Sequence, residues 1–173
     1  MEPRGPGATA RRVAVVHPPL SVARDFIDYP YHADLGAVQL AAVLRAAGDD
    51  VVLIDAFALP GAGLTWRADG RAHLGATVEA VVAAVPLALD AIVVAYTPFH
   101  RPPHRDDLIA ALLTALAPRA PIVLADCYQS GQHYVETGDA AVLASYPEIA
   151  AYVKYEAEVA VPALLATLTT APR

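Results

Sequence analysis

Apolar residues fall along the chain in two rhythms. One is short and near-continuous: RVAVVHPP at 12–19, VVLIDA at 51–56, DAIVVAYTPF at 90–99, PIVLADC at 121–127 and AAYVKYE at 150–156. Runs of that length, rich in valine and isoleucine and stopped by polar or proline residues, predict strands buried on both faces. The other rhythm recurs at three and four residues and predicts helices. DLGAVQLAAVLRAAGDD at 34–50 starts with a capping Asp34 and ends near Gly48, and TVEAVVAAV at 77–85 opens on Thr77 and Glu79. HRDDLIAALLTALAP at 104–118, GDAAVLASYP at 138–147 and AEVAVPALLATL at 157–168 follow the same spacing. Pro162 lies inside the last segment, so that helix is expected to begin only there. LTWRADGRAHLG at 64–75 holds Asp69-Gly70, a hairpin turn signal.

Strands therefore alternate with helices. With right-handed crossovers this predicts an α/β fold, a doubly wound five-stranded parallel sheet in the flavodoxin-like (Rossmann-like) order 2-1-3-4-5. Residues 12–170 read as a single domain behind a disordered tail over 1–11. The ligand crevice of such a sheet opens at the carboxyl ends of strands 1 and 3. The segment 18–33 is long for a strand-to-helix loop, and long loops at that end carry function.

Composition narrows the class. The 173 residues are 56% hydrophobic with a net charge of −6, which gives a nucleic-acid partner no electrostatic support. No apolar run reaches membrane-spanning length, and no apolar core follows the arginines of the start. A cytoplasmic location and no membrane partner are the expectations. The single cysteine, Cys127, excludes an internal disulfide and an iron–sulfur cluster held by this chain alone.

The sheet brings chemistry-bearing residues to one edge. Strand 1 delivers His17, Pro18, Pro19 and the loop with Leu20 and Ser21. Strand 3 delivers Tyr96 and Thr97, strand 4 Asp126, Cys127 and Tyr128, and strand 5 Tyr155, Glu156 and Glu158. This edge is aromatic and hydroxyl-rich and poor in lysine, which suits a large, flat, largely uncharged ligand. GxGxxG and GxxxxGK[ST] are both missing, so dinucleotide and P-loop readings lose their support. His-Pro-Pro after strand 1 also excludes the acidic pair of a response regulator.

In order, VAVVHPPL, DLGAVQLAAVLRAAGDDVVLIDA, LDAIVVAYT, APIVLADC and YVKYEAEVAVPALL resemble the passages of one family. It is the cobalamin (B12)-binding domain found at the N-terminus of B12-dependent radical SAM enzymes, and the resemblance covers roughly residues 12–168. It implies a corrin ring lying across the carboxyl edge, its nucleotide tail entering the sheet region, and cobalt without a lower histidine, in keeping with the missing DxHxxG. It implies cofactor contacts from Pro18, Pro19, Leu20, Ser21, Leu35, Tyr96, Thr97, Asp126, Cys127, Tyr128, Tyr155 and Glu156. It further implies a radical SAM or methyltransferase partner, because the CxxxCxxC domain does not follow before Arg173. The methionine start and polar end favour a standalone relative over a fragment.

Two positions depart from that family. Its Gly-Gly after strand 4 reads Asp126-Cys127, whose side chains would obstruct a nucleotide tail. Its G-E-G-E reads Tyr155-Glu156-Ala157-Glu158, keeping both glutamates and neither glycine. Other roles stay open. His17, Asp126, Cys127 and Glu156 could form a cofactor-free small-molecule enzyme site, or the domain could be a scaffold for a radical SAM partner. Cys127 is either a reactive thiol or a core residue. His17 is either a general base or an ordinary hydrogen-bonded histidine, and Glu156 and Glu158 are either an acid–base pair or a helix-start feature. His100 and His104 read as surface residues rather than a metal pair. Tyr29, Tyr31 and Tyr134 either line a pocket or pack, and Trp66 is a packing or partner residue.

Overall fold

The computed structural model describes residues 10–25, 35–97, 105–127 and 138–168. In chain order the elements are β1 (Arg12–His17), β2 (Leu20–Ala23), α1 (Leu35–Ala46), β3 (Asp50–Asp55), β4 (Gly63–Trp66), β5 (Arg71–Gly75) and α2 (Val78–Ala84). Then come β6 (Ala91–Tyr96), α3 (Asp107–Leu116), β7 (Ile122–Asp126), α4 (Asp139–Ser145), β8 (Ala151–Val153) and α5 (Ala157–Leu168).

Five strands form one parallel sheet in the order β3-β1-β6-β7-β8. Counting only these strands, that is the expected 2-1-3-4-5. Alternation along each strand divides the core in two. Val13, Val15, Ala91, Val93, Ala95, Val123, Ala125 and Cys127 face α1 and α5. Ala14, Val16, Ile92, Val94, Tyr96, Ile122 and Leu124 face α2, α3 and α4. Both faces are covered, which is why the strand segments are apolar without polar alternation.

Local chemistry sets the helix boundaries. Thr77 Oγ1 accepts the Ala80 N–H at 3.3 Å to open α2, and Asp106 Oδ1 accepts both Leu108 and Ile109 N–H at 2.9 Å to open α3. After α1, Gly48 at φ +87° carries the left-handed turn that closes the helix.

Two expectations change. The segment after β1 is not simply loop. Its first residues form β2, which pairs antiparallel with β5, and β5 pairs with β4, giving a second, three-stranded sheet. Leu20 and Val22 pack with Ala72, Leu74 and Phe57, so burial of a four-residue strand overrides the two prolines before it. The hairpin expected over 64–75 is present, with Gly70 at φ +81° and Arg71 N–H donated to Asp69 Oδ1. The second change is α5, which begins at Ala157 and carries Pro162 within it. Pro162 forfeits one helical N–H, but it is buried, as are Val161 and Leu165, and that burial offsets the loss.

Arg11, the last residue of the expected tail, is buried beneath the amino edge and joined to Asp49 by two hydrogen bonds, Nε to Oδ1 at 2.9 Å and Nη2 to Oδ2 at 2.8 Å. No helix among the described residues is long and apolar enough to cross a membrane.

Candidate functional site

The order of the parallel sheet reverses between β1 and β6, and their carboxyl ends carry His17 and Thr97. Both are buried, His17 to 2% exposure. Parallel register sets His17 beside Asp55 at the end of β3, and His17 Nδ1 lies 3.3 Å from Asp55 Oδ1. That approach is not an aligned hydrogen bond, since Nδ1 has no hydrogen-bond partner of good geometry. The imidazole also stands edge-on to Phe57, with ring centroids 4.9 Å apart. Asp55 Oδ1 in addition accepts the Phe57 N–H at 2.9 Å.

Asp55 was not among the sequence candidates; it ends the second parallel strand, and only the register places it beside His17. Burial pushes its carboxyl upward, but His17, the Phe57 N–H and the charge attraction of His17 together outweigh that, and its pKa lies below the ordinary 3.8. A depressed carboxylate adds stability that is complete above its unfolded pKa and is lost as pH falls through the folded one. Asp55→Asn is therefore expected to flatten the loss of stability below about pH 4, read as urea midpoints across that acid range. A slope equal to that of the parent would show that the pairing adds nothing.

Pro18, Pro19, Leu20 and Ser21 are buried. Ser21 is fixed by Arg71, whose Nε donates to Ser21 Oγ at 2.7 Å and whose Nη2 donates to the Ser21 carbonyl. In this structure these residues serve the junction between the two sheets. Tyr96 is fully buried on the α3/α4 side, edge-on to Tyr146 at 5.9 Å and to Tyr152 at 5.8 Å. Its ring belongs to the core. Tyr146 accepts the Asp106 N–H at 3.2 Å, tying this tyrosine group to the start of α3.

Asp126 and Cys127 are both buried and alternate to opposite faces, Asp126 in register with Tyr96 and Cys127 within the α1/α5 core at 3% exposure. Cys127 and Asp126 thus lie on opposite sides of the sheet, and Glu156 is on the surface. Asp126 and Cys127 therefore do not face one reacting point together. Among the described residues no three His, Cys, Asp or Glu side chains are arranged to hold a metal ion. Tyr128, His100, His104, Tyr29, Tyr31 and Tyr134 lie outside the described residues.

Two features at this edge were not legible as such. The first is a seam. The opening turn of α1 rests directly on the end of β7, and a Cβ at Gly36 would stand 1.7 Å from the Cys127 carbonyl oxygen and 2.7 Å from its carbon. Only a residue without a side chain fits there. The second is backbone strain. Tyr155 and Glu156, successive residues between β8 and α5, have φ of 60° and 42°. Both are exposed, Tyr155 to 61%, with the Lys154 ammonium 5.2 Å over its ring. The Glu156 carbonyl accepts the Val159 and Ala160 N–H groups that open α5.

Leu35 at the start of α1 is 69% exposed, with Val38 one turn on, and Val159 is exposed one turn after Tyr155. The helices α1 and α5 pack together on one face and both begin at the carboxyl edge. Among the described residues the edge therefore carries an apolar rim beside the packed α1/α5 core. Trp66 sits elsewhere, on the outer strand β4, half-exposed under the Arg24 guanidinium at 5.1 Å. No family model, curated protein or solved structure matches this chain.

Proposed function

We propose that the chain is a ligand-holding domain of the cobalamin-binding type, which carries a corrinoid across the carboxyl edge of its sheet and presents it to a radical SAM or methyltransferase partner. The observation that carries this reading is the left-handed pair Tyr155 and Glu156. A left-handed residue other than glycine costs about 1–2 kcal/mol, and such strain collects at ligand and switch sites, where function keeps it. Tyr155 stands where the resembled family has the first glycine of G-E-G-E, so the backbone keeps a glycine's conformation under a tyrosine. That exchange puts an exposed aromatic ring on the rim at a cost in stability, which is intelligible if the ring meets a ligand.

The residues suit a corrinoid in part. An apolar rim of Leu35, Val38, Tyr155 and Val159 suits the face of a flat macrocycle. The seam between Gly36 and Cys127 does not admit a nucleotide tail, so no chemical step is derived through the cofactor. The chain's own part in this reading is to seat and orient the ligand.

Tyr155→Gly separates strain from packing. Removing the side chain is expected to leave the unfolding free energy unchanged or raise it by up to about 1 kcal/mol, while hydroxocobalamin binding weakens by about 10-fold. A loss of stability with unchanged binding would make Tyr155 a packing residue and remove the main support for the site.

A further inference from the structure

Resting on the corrinoid reading, we infer that this edge recognises the ring alone: a corrinoid is held by its face against the rim, and its nucleotide tail stays outside the protein. The seam is the first ground. Gly36 meets Cys127 backbone to backbone, and the space for even one added carbon is taken by the Cys127 carbonyl oxygen at 1.7 Å, its carbon at 2.7 Å and its Cβ at 3.1 Å. An aromatic tail is far thicker than a methyl group, so α1 would have to leave the sheet to admit it.

What lies behind the seam is the second ground. Ala37, Ala41, Ala95, Ala125 and Ala157 are all buried where α1 and α5 approach the sheet. Small side chains draw the helices close, and Cys127 lies inside the same cluster. Native cores of this kind are packed to near-crystalline density, and opening one to seat a tail would forfeit those contacts. Ala157 also occupies the second glycine position of the resembled G-E-G-E, and it is buried in this core.

Ligand contact is left to the rim. Among the described residues, Leu35 and Val38 on α1, and Tyr155 and Val159 at the start of α5, are exposed apolar side chains at this edge. They offer an apolar surface to a flat ring. The class of ligand that follows is a corrin macrocycle whose affinity is indifferent to its tail, including tail-less cobinamides.

Equilibrium dialysis of the full chain against hydroxocobalamin and, separately, dicyanocobinamide tests this, with bound corrin read from the visible spectrum. The two dissociation constants are expected to agree within about 3-fold. Leu35→Asp is expected to weaken both by about 10-fold without moving the thermal midpoint, because that side chain is exposed. Cobalamin bound 10-fold or more tighter than cobinamide, on the order of 1.4 kcal/mol, would overturn the ring-only mode and leave the corrinoid reading standing. Binding of neither would overturn both. Equal binding that Leu35→Asp leaves untouched would move the ring off this rim and overturn the inference.

Discussion

Gly36→Ala is expected to destabilise the protein by about 3 kcal/mol or more, a loss typical of severe overpacking. Helix propensity alone predicts the opposite sign, because alanine is better than glycine in a helix by about 1 kcal/mol. The contact decides. The new methyl would stand 1.7 Å from the Cys127 oxygen, an approach that no rotamer relieves, since Cβ has none. Either α1 lifts from β7 and uncovers part of the α1/α5 core, or β7 bends at its carboxyl end. Urea unfolding of the variant beside Gly63→Ala reads the effect cleanly. Nothing lies within 4 Å of a Cβ at Gly63, so that substitution is expected to stay within about 0.5 kcal/mol of the parent. Equal stability of the two variants would mean that the seam is not closed in solution.

Asp49→Ala carries the other large effect. Asp49 closes a two-bonded pair with Arg11 in which the side chains are 0% and 10% exposed. Removing the carboxylate leaves a guanidinium buried with no counter-charge, and breaking such a pair costs about 3–5 kcal/mol. The pair itself need not be a large net gain, because taking two charges out of water cancels much of their attraction. Replacing both residues, as Arg11→Met with Asp49→Leu, is accordingly expected to recover most of the loss. A single substitution as mild as the double would show that water reaches Arg11 and solvates it. The pair joins the residue before β1 to the residue before β3, so it holds the amino edge of the sheet far from the candidate site. Corrinoid binding should survive wherever the fold does.

The parallel sheet was legible because its strands are apolar on both faces. RVAVVH, AIVVAY and IVLAD read as buried strands before any tertiary contact is known. Strand β2 was not legible, since LSVA is too short to signal a strand, and its partner β5 lies beyond α1, β3 and β4. The start of α5 was misplaced because proline was weighed as a local breaker, whereas burial of its ring holds the helix together across it. At the edge, residue identity located the candidates but not their surroundings. Tyr96 read as a crevice aromatic, yet alternation turns it toward Tyr146 and Tyr152. His17 was visible; its neighbour Asp55 was not, because register rather than spacing brings them together. Asp126-Cys127 stood out as a departure from the resembled Gly-Gly, whereas the close contact at that point, between Gly36 and the Cys127 carbonyl, involves a residue with no side chain to signal it. No tyrosine announces a positive φ, so the strain at Tyr155 could be found only in the backbone.

If the carboxyl edge holds a corrin ring as proposed, hydroxocobalamin stays with the chain through desalting. Corrin absorbance is then expected to elute with the chain at about one equivalent, as for a single small-molecule site. Protein that elutes colourless at every corrinoid concentration and pH at which it is folded would contradict it.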